Sequence, residues 1–297
     1  MNVLITGSSG FLGNTLIEKI KQEDKTWNLI GVDIKSKDNQ GINFLKYDLS
    51  KKVSWKRIIE ENNINLIYHI AGVFLNIDNY TMMKINVLQL LSFFEEIRKT
   101  SLNPIIVIIG SAAQYGLIDK QNLPVEENTI QKPISFYGLT KKWQEEMAIH
   151  YFMSYGIKTI CTRPSNLIGK GIAETLLPGF LTKSFTKNDD LINIEISSKN
   201  DKRDYIDVRD VASALILLAK NNKSVGEVFN ISSSELISNE QLVHLFAKNS
   251  NKKVNIKEKF KASNSEISLL NKKISSYLNW ERQYGIEDSI KWCLGID

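Results

Sequence analysis

Short apolar runs rich in β-branched residues alternate, through the first 163 residues, with longer stretches whose apolar positions recur every three to four residues. The runs at 3–6, 29–33, 66–70, 105–109 and 159–163 have the length and composition of buried strands. Segments 11–21, 82–99 and 137–155 carry apolar residues at helical spacing and predict amphipathic helices, the last with a polar opposite face. Strict alternation of this kind builds right-handed βαβ units. The predicted fold class is therefore α/β: a Rossmann-type doubly wound parallel sheet with helices on both faces. After Pro164 the rhythm changes to loops rich in Gly, Lys and Asn, then a strand-like run at 192–196, a helical pattern at 211–220, a strand-like run at 228–231 and a helical pattern at 239–249. The expected division is a first domain over 1–163 and a smaller C-terminal α/β lobe over 164–297, with the chain free to cross between them.

Composition narrows the partners. A chain of 297 residues with 42% hydrophobic content is long enough for one large α/β domain and a smaller second lobe. Its net charge of +5 comes from lysines interspersed with acidic residues along the whole length, the pattern of a solvated mixed surface, so no nucleic acid is expected. Cys161 and Cys293 lie far apart without metal spacing, and His69, His150 and His244 form no cluster, so neither a structural metal nor a disulfide is predicted. The first apolar stretch starts at Val3 without a basic leader and runs into a glycine turn, and no run approaches the ~20 apolar residues of a membrane span. A cytoplasmic protein with no membrane partner is expected.

The chemistry-bearing residues stand where such a fold presents them. Gly7-Ser8-Ser9-Gly10-Phe11-Leu12-Gly13 follows the first strand and opens the first helix, with GxxGxxG rather than GxGxxG spacing. Turn glycines let a backbone pass close to a pyrophosphate, and the helix N-terminus offers it N–H groups and a positive dipole end. Asp33 ends the second strand 20 residues after Gly13, where a carboxylate accepts the hydroxyls of an adenosine ribose. The expected cofactor contacts are Gly7, Ser9, Gly10, Phe11, Leu12, Gly13, Asp33 and Ile34, with NAD favoured over NADP. Lys35 and Lys37 are either a solvated loop or a site for the 2′-phosphate of NADP. Asp48 and Leu49, after a third strand, are placed near the adenine, and Ile70, Ala71 and Gly72 where the dinucleotide backbone must pass. Taken singly, Asp48 also reads as a cap and His69 as a satisfied core histidine.

Tyr137 and Lys141 stand four residues apart on one helix face, so the ammonium is expected near the phenol, favouring its ionised form and bringing it into acid–base range. Ser111, at the end of the fifth strand, places a hydroxyl at the crevice where open α/β sheets bind ligands. These three are the predicted catalytic residues.

With the stretches Ser111 to Gly116, Pro124-Val125-Glu126-Glu127, Arg163-Pro164-Ser165-Asn166-Leu167-Ile168-Gly169 and Arg203-Asp204-Tyr205-Ile206-Asp207, the chain resembles the extended short-chain dehydrogenase/reductases, the family of NAD-dependent nucleotide-sugar epimerases, dehydratases and 4-ketoreductases. The resemblance covers nearly the whole chain. It implies that Tyr137 is the general acid/base, that Lys141 also holds the nicotinamide ribose, that Ser111 polarises the reacting oxygen and that Pro164 borders the cofactor. It implies a nucleotide-sugar substrate facing Ser111, Ala112, Gln114, Tyr137, Asn166 and Arg203, the last against the diphosphate, where a guanidinium gives bidentate geometry. Asn86 matches a family asparagine and reads as structural. A homodimer through helices 82–99 and 137–155 is also implied, although their apolar stripes equally fit simple burial.

The dehydratases of this family carry a carboxylate just after the catalytic hydroxyl; Ala112 and Ala113 stand there, which argues against elimination. Two reactions remain: reduction of the C4 keto group of an NDP-4-keto-6-deoxyhexose, and C4 epimerisation with retained NAD. The motif stretches resemble GDP-4-keto-6-deoxymannose reductases more than UDP-galactose epimerases, so reduction is expected, while Lys170, where many relatives carry Pro, leaves the sugar open. A nonenzymatic dinucleotide-binding regulator ranks third, because such proteins lose the Tyr/Lys pair.

Overall fold

The computed structural model describes residues 1–35, 41–259 and 265–296. Lys37 and part of the Lys/Asn/Ser-rich stretch 249–273 lie outside the described residues. The chain divides into two compact units.

The first unit comprises Met1–Gly116, Ile130–Arg163 and Ala212–Phe229. Its elements, in chain order, are β1 (Asn2–Thr6), α1 (Phe11–Glu23), β2 (Asn28–Asp33), β3 (Asn43–Lys46), α2 (Trp55–Glu61), β4 (Leu66–His69), α3 (Asn79–Met83), α4 (Gln89–Ile97), β5 (Ile105–Ile109), α5 (Phe136–Tyr155) and β6 (Thr159–Pro164). After an excursion into the second unit, the chain returns to it from Ala212 to Phe229, which takes in most of α7 (Val208–Lys220) and the start of β10 (Val228–Ile231). The seven-stranded sheet has the order β10-β6-β5-β4-β1-β2-β3. Strands β1 to β6 pair in parallel throughout. Reading 3-2-1-4-5-6 from one edge, this is the doubly wound order, with its reversal between β1 and β4. Most of the run at 211–220 and the start of that at 228–231, expected in the second lobe, thus serve the first unit: the Tyr68 hydroxyl on β4 donates to Leu215 O of α7 at 3.3 Å.

Leu4, Ile30, Ile67, Ile106 and Ile108 line one sheet face under Trp55, Phe93 and Phe94, and the Trp55 and Phe93 rings meet edge-on at 5.1 Å. Each such side chain contributes about 1.5–3 kcal/mol by leaving water. The helix expected over 82–99 is not a regular α-helix throughout. Between α3 and α4, Lys84–Leu88 forms a π-helical turn, closed by the Gln89 N–H donating to Lys84 O, five residues back.

The second unit comprises Leu117–Thr129, Pro164–Val211 and Asn230–Asp297. It holds β7 (Asn166–Ile168), α6 (Leu177–Phe185), β8 (Leu191–Ile196), β9 (Lys202–Asp207), β11 (Leu236–Ser238), α8 (Asn239–Asn249), β12 (Lys253–Glu258), β13 (Glu266–Ile267), α9 (Lys272–Leu278) and α10 (Ile286–Leu294). Strand β9 pairs with β7, β11 and β13, and β8 with β12. Ile168, Leu181, Phe185, Ile194, Phe246 and Ile290 form its core. Asp204, buried on β9, accepts from Ser165 Oγ (2.9 Å), Ser233 N (3.0 Å), Ser234 N (3.1 Å) and Leu269 N (3.2 Å), which ties three loops to one carboxylate. Burial raises its pKa against those hydrogen bonds.

Candidate active site

The glycine turn works as a set of close approaches. Gly7 has φ +70° and a Cβ there would stand 2.9 Å from Ala71 N; at Gly13 it would stand 2.1 Å from Gly7 O. Both positions are glycine because the protein's own backbone fills the space. Gly10 differs: its Cβ would meet only Gly7 O, at 3.1 Å, and it caps α1 without any side-chain hydrogen bond. The N–H groups of the first turn are thereby left to an anion beside a residue with no side chain. Beyond them, Asp33 accepts from Ser9 N at 3.0 Å and Ile34 N at 2.7 Å, so its carboxylate is held at the end of β2 beside the turn. Asp48 accepts from Ser50 N at 2.8 Å, and hydrogen bonding from the Ser50 side chain first, then from its backbone, holds the carboxyl below its ordinary value. These features fit a dinucleotide: pyrophosphate at Gly10 to Gly13, ribose at Asp33.

His69 is buried with Nδ1 at 3.2 Å from Thr6 Oγ1, and burial, with the Lys141 charge second, lowers its pKa to about 3. It is a neutral core histidine, and Thr6 Oγ1 also receives the Ala71 N–H at 3.2 Å, fixing the chain where it leaves β4. Asn86, in the π turn, is fully buried and clamps that loop from both sides: its Oδ1 accepts from Val73 N and its Nδ2 donates to Val73 O, each at 2.9 Å. The backbone carbonyl of Asn86 is met by Gln144 Nε2 at 2.6 Å.

Ser135 caps α5 by accepting from Gly138 N at 3.0 Å, which sets Tyr137 in the first turn of the helix. Gly138 allows the helix start to lie on the Ser111 turn, since a Cβ there would stand 2.4 Å from Ala113 O. Tyr137 is half-buried and shares a hydrogen bond with Ser111. Lys141 is buried, donates from Nζ to Ile109 O at 2.8 Å, and lies 5.9 Å from the Tyr137 ring centre. Its pKa falls to about 8 through burial. One expectation is corrected. Burial pushes the Tyr137 phenol up, and only the Ser111 hydrogen bond opposes it, so the lysine does not bring this phenol into its ionised form. The geometry can hold a proton on Tyr137 at neutral pH and deliver it beside Ser111.

Among the proposed sugar contacts, Gln114 is fully buried and its amide is spent inside the protein: Oε1 accepts from Ser111 N (2.7 Å), and Nε2 donates to Gln131 (3.1 Å) and Glu145 (3.0 Å). Ala112 is buried as well. Asn166 and Arg203 lie in the second unit on the paired strands β7 and β9; Asn166 donates to Asp204 O at 3.1 Å, and Arg203 donates to Lys202 O and Ser265 O, each at 2.8 Å. Pro164 ends β6. Phe74, absent from the expected set, packs its half-exposed ring 5.7 Å from that of Tyr137. Its signal was an aromatic residue two places after Gly72. Glu145 was missed too, although Tyr137, Lys141 and Glu145 repeat at four-residue spacing along one helix face.

A doubly wound sheet with an uncapped glycine turn, a strand-end aspartate and a Tyr/Lys/Ser cluster defines a nicotinamide-dependent enzyme of the oxidoreductase and epimerase class. A profile of the NAD dependent epimerase/dehydratase family matches residues 3–232. The chain belongs to that family, and its cofactor is a nicotinamide dinucleotide. The chain is similar to the dTDP-4-dehydro-6-deoxyglucose reductase of Escherichia coli, at 27% identity over 310 residues covering 97% of this chain and 95% of that protein. It is also similar to a putative UDP-glucose 4-epimerase of Methanocaldococcus jannaschii, at 29% identity over 255 residues covering 81% and 79%. The fold is shared with RMD from Pseudomonas aeruginosa, solved with NADPH, at a TM-score of 0.85 and 20% identity over 99% of this chain and 98% of that one. Among the described residues no helix is long and apolar enough to cross a membrane, and no cluster of His, Cys, Asp or Glu is arranged to hold a metal.

Proposed function

We propose that the chain is a nucleotide-sugar oxidoreductase that reduces the C4 keto group of an NDP-4-keto-6-deoxyhexose. The observation that carries this reading is the Ser111 turn. Ala112 and Ala113 place no carboxylate beside the hydroxyl, and Glu145, the acid packed beneath it, is buried and paired to Arg163 at 2.6 Å. Elimination, which needs a free base at the neighbouring carbons, has none here.

In this reading Gly10 to Gly13, Asp33 and Lys141 hold the cofactor, which when bound supplies the hydride received at C4. Ser111 donates to the substrate oxygen and orients it, and Tyr137 delivers its proton there as the C–O bond is reduced. Lys141 then stands as the cation beside the phenolate left behind. Asn166 and Arg203 contact the nucleotide sugar.

The assay is NADH or NADPH with a panel of nucleotide-linked 4-keto-6-deoxy sugars, followed at the reduced-nicotinamide absorbance. Stoichiometric oxidation is expected; interconversion of C4 epimers with retained NAD and no net oxidation would replace this reading by the epimerase one. For cofactor choice, Asp33→Ala is expected to raise the Kd for NADH at least about tenfold, the loss of roughly one charge-assisted hydrogen bond, with a much smaller change for NADPH. Equal changes would remove the ribose contact.

We infer a homodimer from the π turn, α4 and α5, which leave Leu88, Leu91, Ile149, Met153 and Tyr155 exposed on the first unit. Sedimentation equilibrium is expected to give twice the chain mass, and Leu91→Glu with Met153→Glu to give the monomer.

A further inference from the structure

Under the reacting groups lies a buried polar network with no place in the chemistry itself. Arg163 grips Glu145 with two bonds, Nε to Oε2 at 2.8 Å and Nη2 to Oε1 at 2.6 Å, and donates a third from Nη1 to the Tyr115 hydroxyl at 2.6 Å. Glu145 also accepts from Gln131 Nε2 at 2.6 Å and from Gln114 Nε2 at 3.0 Å. Glu145 lies on α5, Arg163 on β6, and Gln114 in the short turn that Ser111 caps.

An amide can be turned either way, and here its surroundings allow one orientation. A carboxylate accepts only, so the Gln114 NH2 must face Glu145 and Gln131. The amide oxygen is thereby aimed at the Ser111 N–H, 2.7 Å away. Ser111 in turn accepts from Ala113 N through Oγ at 3.2 Å, the reciprocal half of a capping box, and shares its hydroxyl with Tyr137. Gly110, just before it, has room for no side chain, because a Cβ would stand 2.3 Å from Gln114 Oε1.

We propose that Gln114 is the positioning residue of the active site: with its amide oriented by Glu145, it fixes the backbone of Ser111 so that the hydroxyl points to the reacting oxygen. The proposal rests on the reading of Ser111 as the group that touches substrate, and holds equally for reduction and for epimerisation. It differs from a simple core role, because the loss should fall on kcat and only while Ser111 carries its hydroxyl.

The test is a double-mutant cycle on kcat, with Gln114→Leu, Ser111→Ala and the pair, in the assay above. Gln114→Leu is expected to lower kcat about 10- to 100-fold, the scale of a slightly misplaced catalytic group, with KM and the Kd for NADH within about twofold. In the Ser111→Ala background the same change is expected to cost less than about threefold. Gln114→Glu keeps an acceptor for Ser111 N and, through one proton shared with Glu145, a donor for that carboxylate; it is expected to regain most of the lost kcat. Should Gln114→Leu fail to fold, Gln114→Asn, whose shorter amide does not span Ser111 N and Glu145, carries the test, and full kcat in it, or a loss that persists undiminished in the Ser111→Ala background, overturns the proposal. Full kcat in Gln114→Leu, or additive losses, overturns it also. Full activity in Ser111→Ala alone is a separate result, which removes the underlying role of Ser111.

Discussion

Tyr137→Phe is expected to bind NADH as the parent does and to lose at least 10²- to 10⁴-fold in kcat, roughly the contribution of a positioned general acid. Phenylalanine keeps the ring and its packing against Phe74, 5.7 Å away, so α5 and the Ser111 turn have no reason to move. Only the hydroxyl is removed, with its proton and its hydrogen bond to Ser111. Stopped-flow measurement of reduced-nicotinamide oxidation, with cofactor binding followed separately by fluorescence, distinguishes loss of chemistry from loss of the site. Retained turnover would assign the proton to another group. The pH profile carries a second expectation. Because burial raises Tyr137 and lowers Lys141 to about 8, the lysine is the group that changes charge near neutrality. In the reductive direction, kcat/KM is expected to be level below about pH 8 and to fall above it, as Lys141 gives up the proton that makes it a partner for the nascent phenolate.

The largest stability loss is expected from Arg163→Met. Arg163 and Glu145 are both almost fully buried, and removing the guanidinium strands a carboxylate in the core with only Gln114 and Gln131 as donors. Breaking a buried pair from one side costs about 3–5 kcal/mol, readable as a lowered urea midpoint at unchanged slope. The double variant Arg163→Met with Glu145→Leu leaves no stranded charge and is expected to recover a large part of that loss. If the double variant is as unstable as the single one, the deficit lies in packing at Tyr115 rather than in the charge.

Much of the first unit was legible because its elements repeat two simple periods. Short buried strands and amphipathic helices announce themselves, and right-handed crossovers fix the hand of each βαβ unit, while the order β3-β2-β1-β4-β5-β6 is seen only in the fold. The glycine turn, Asp33 and the Tyr137/Lys141 spacing are local, so they too could be read along the chain. What could not be read depends on contacts distant in sequence. Gln114 stands where a sugar contact was expected, yet its partner Glu145 is 31 residues away, and only folding shows the amide spent within the core. Tyr137 was expected to lean toward ionisation because spacing reveals the lysine but not the burial, which dominates. Sequence position places the segments 211–220 and 228–231 in the second lobe, whereas residues 212–220, 228 and 229 belong to the first unit.

The π turn at Lys84–Leu88 is, in effect, one surplus residue in a helix. Each residue turns an α-helix by about 100°, so the surplus rotates everything before it relative to α4, whose apolar side stays on the core. That rotation is what aims Asn86 at Val73 and its carbonyl at Gln144. Deleting one residue from this turn would give a more regular helix with better local hydrogen bonding, and would swing the clamp away from the loop beside Lys141. The irregularity acts as a phase setting between scaffold and site, and natural variation in this helix should conserve its length more strictly than its side chains.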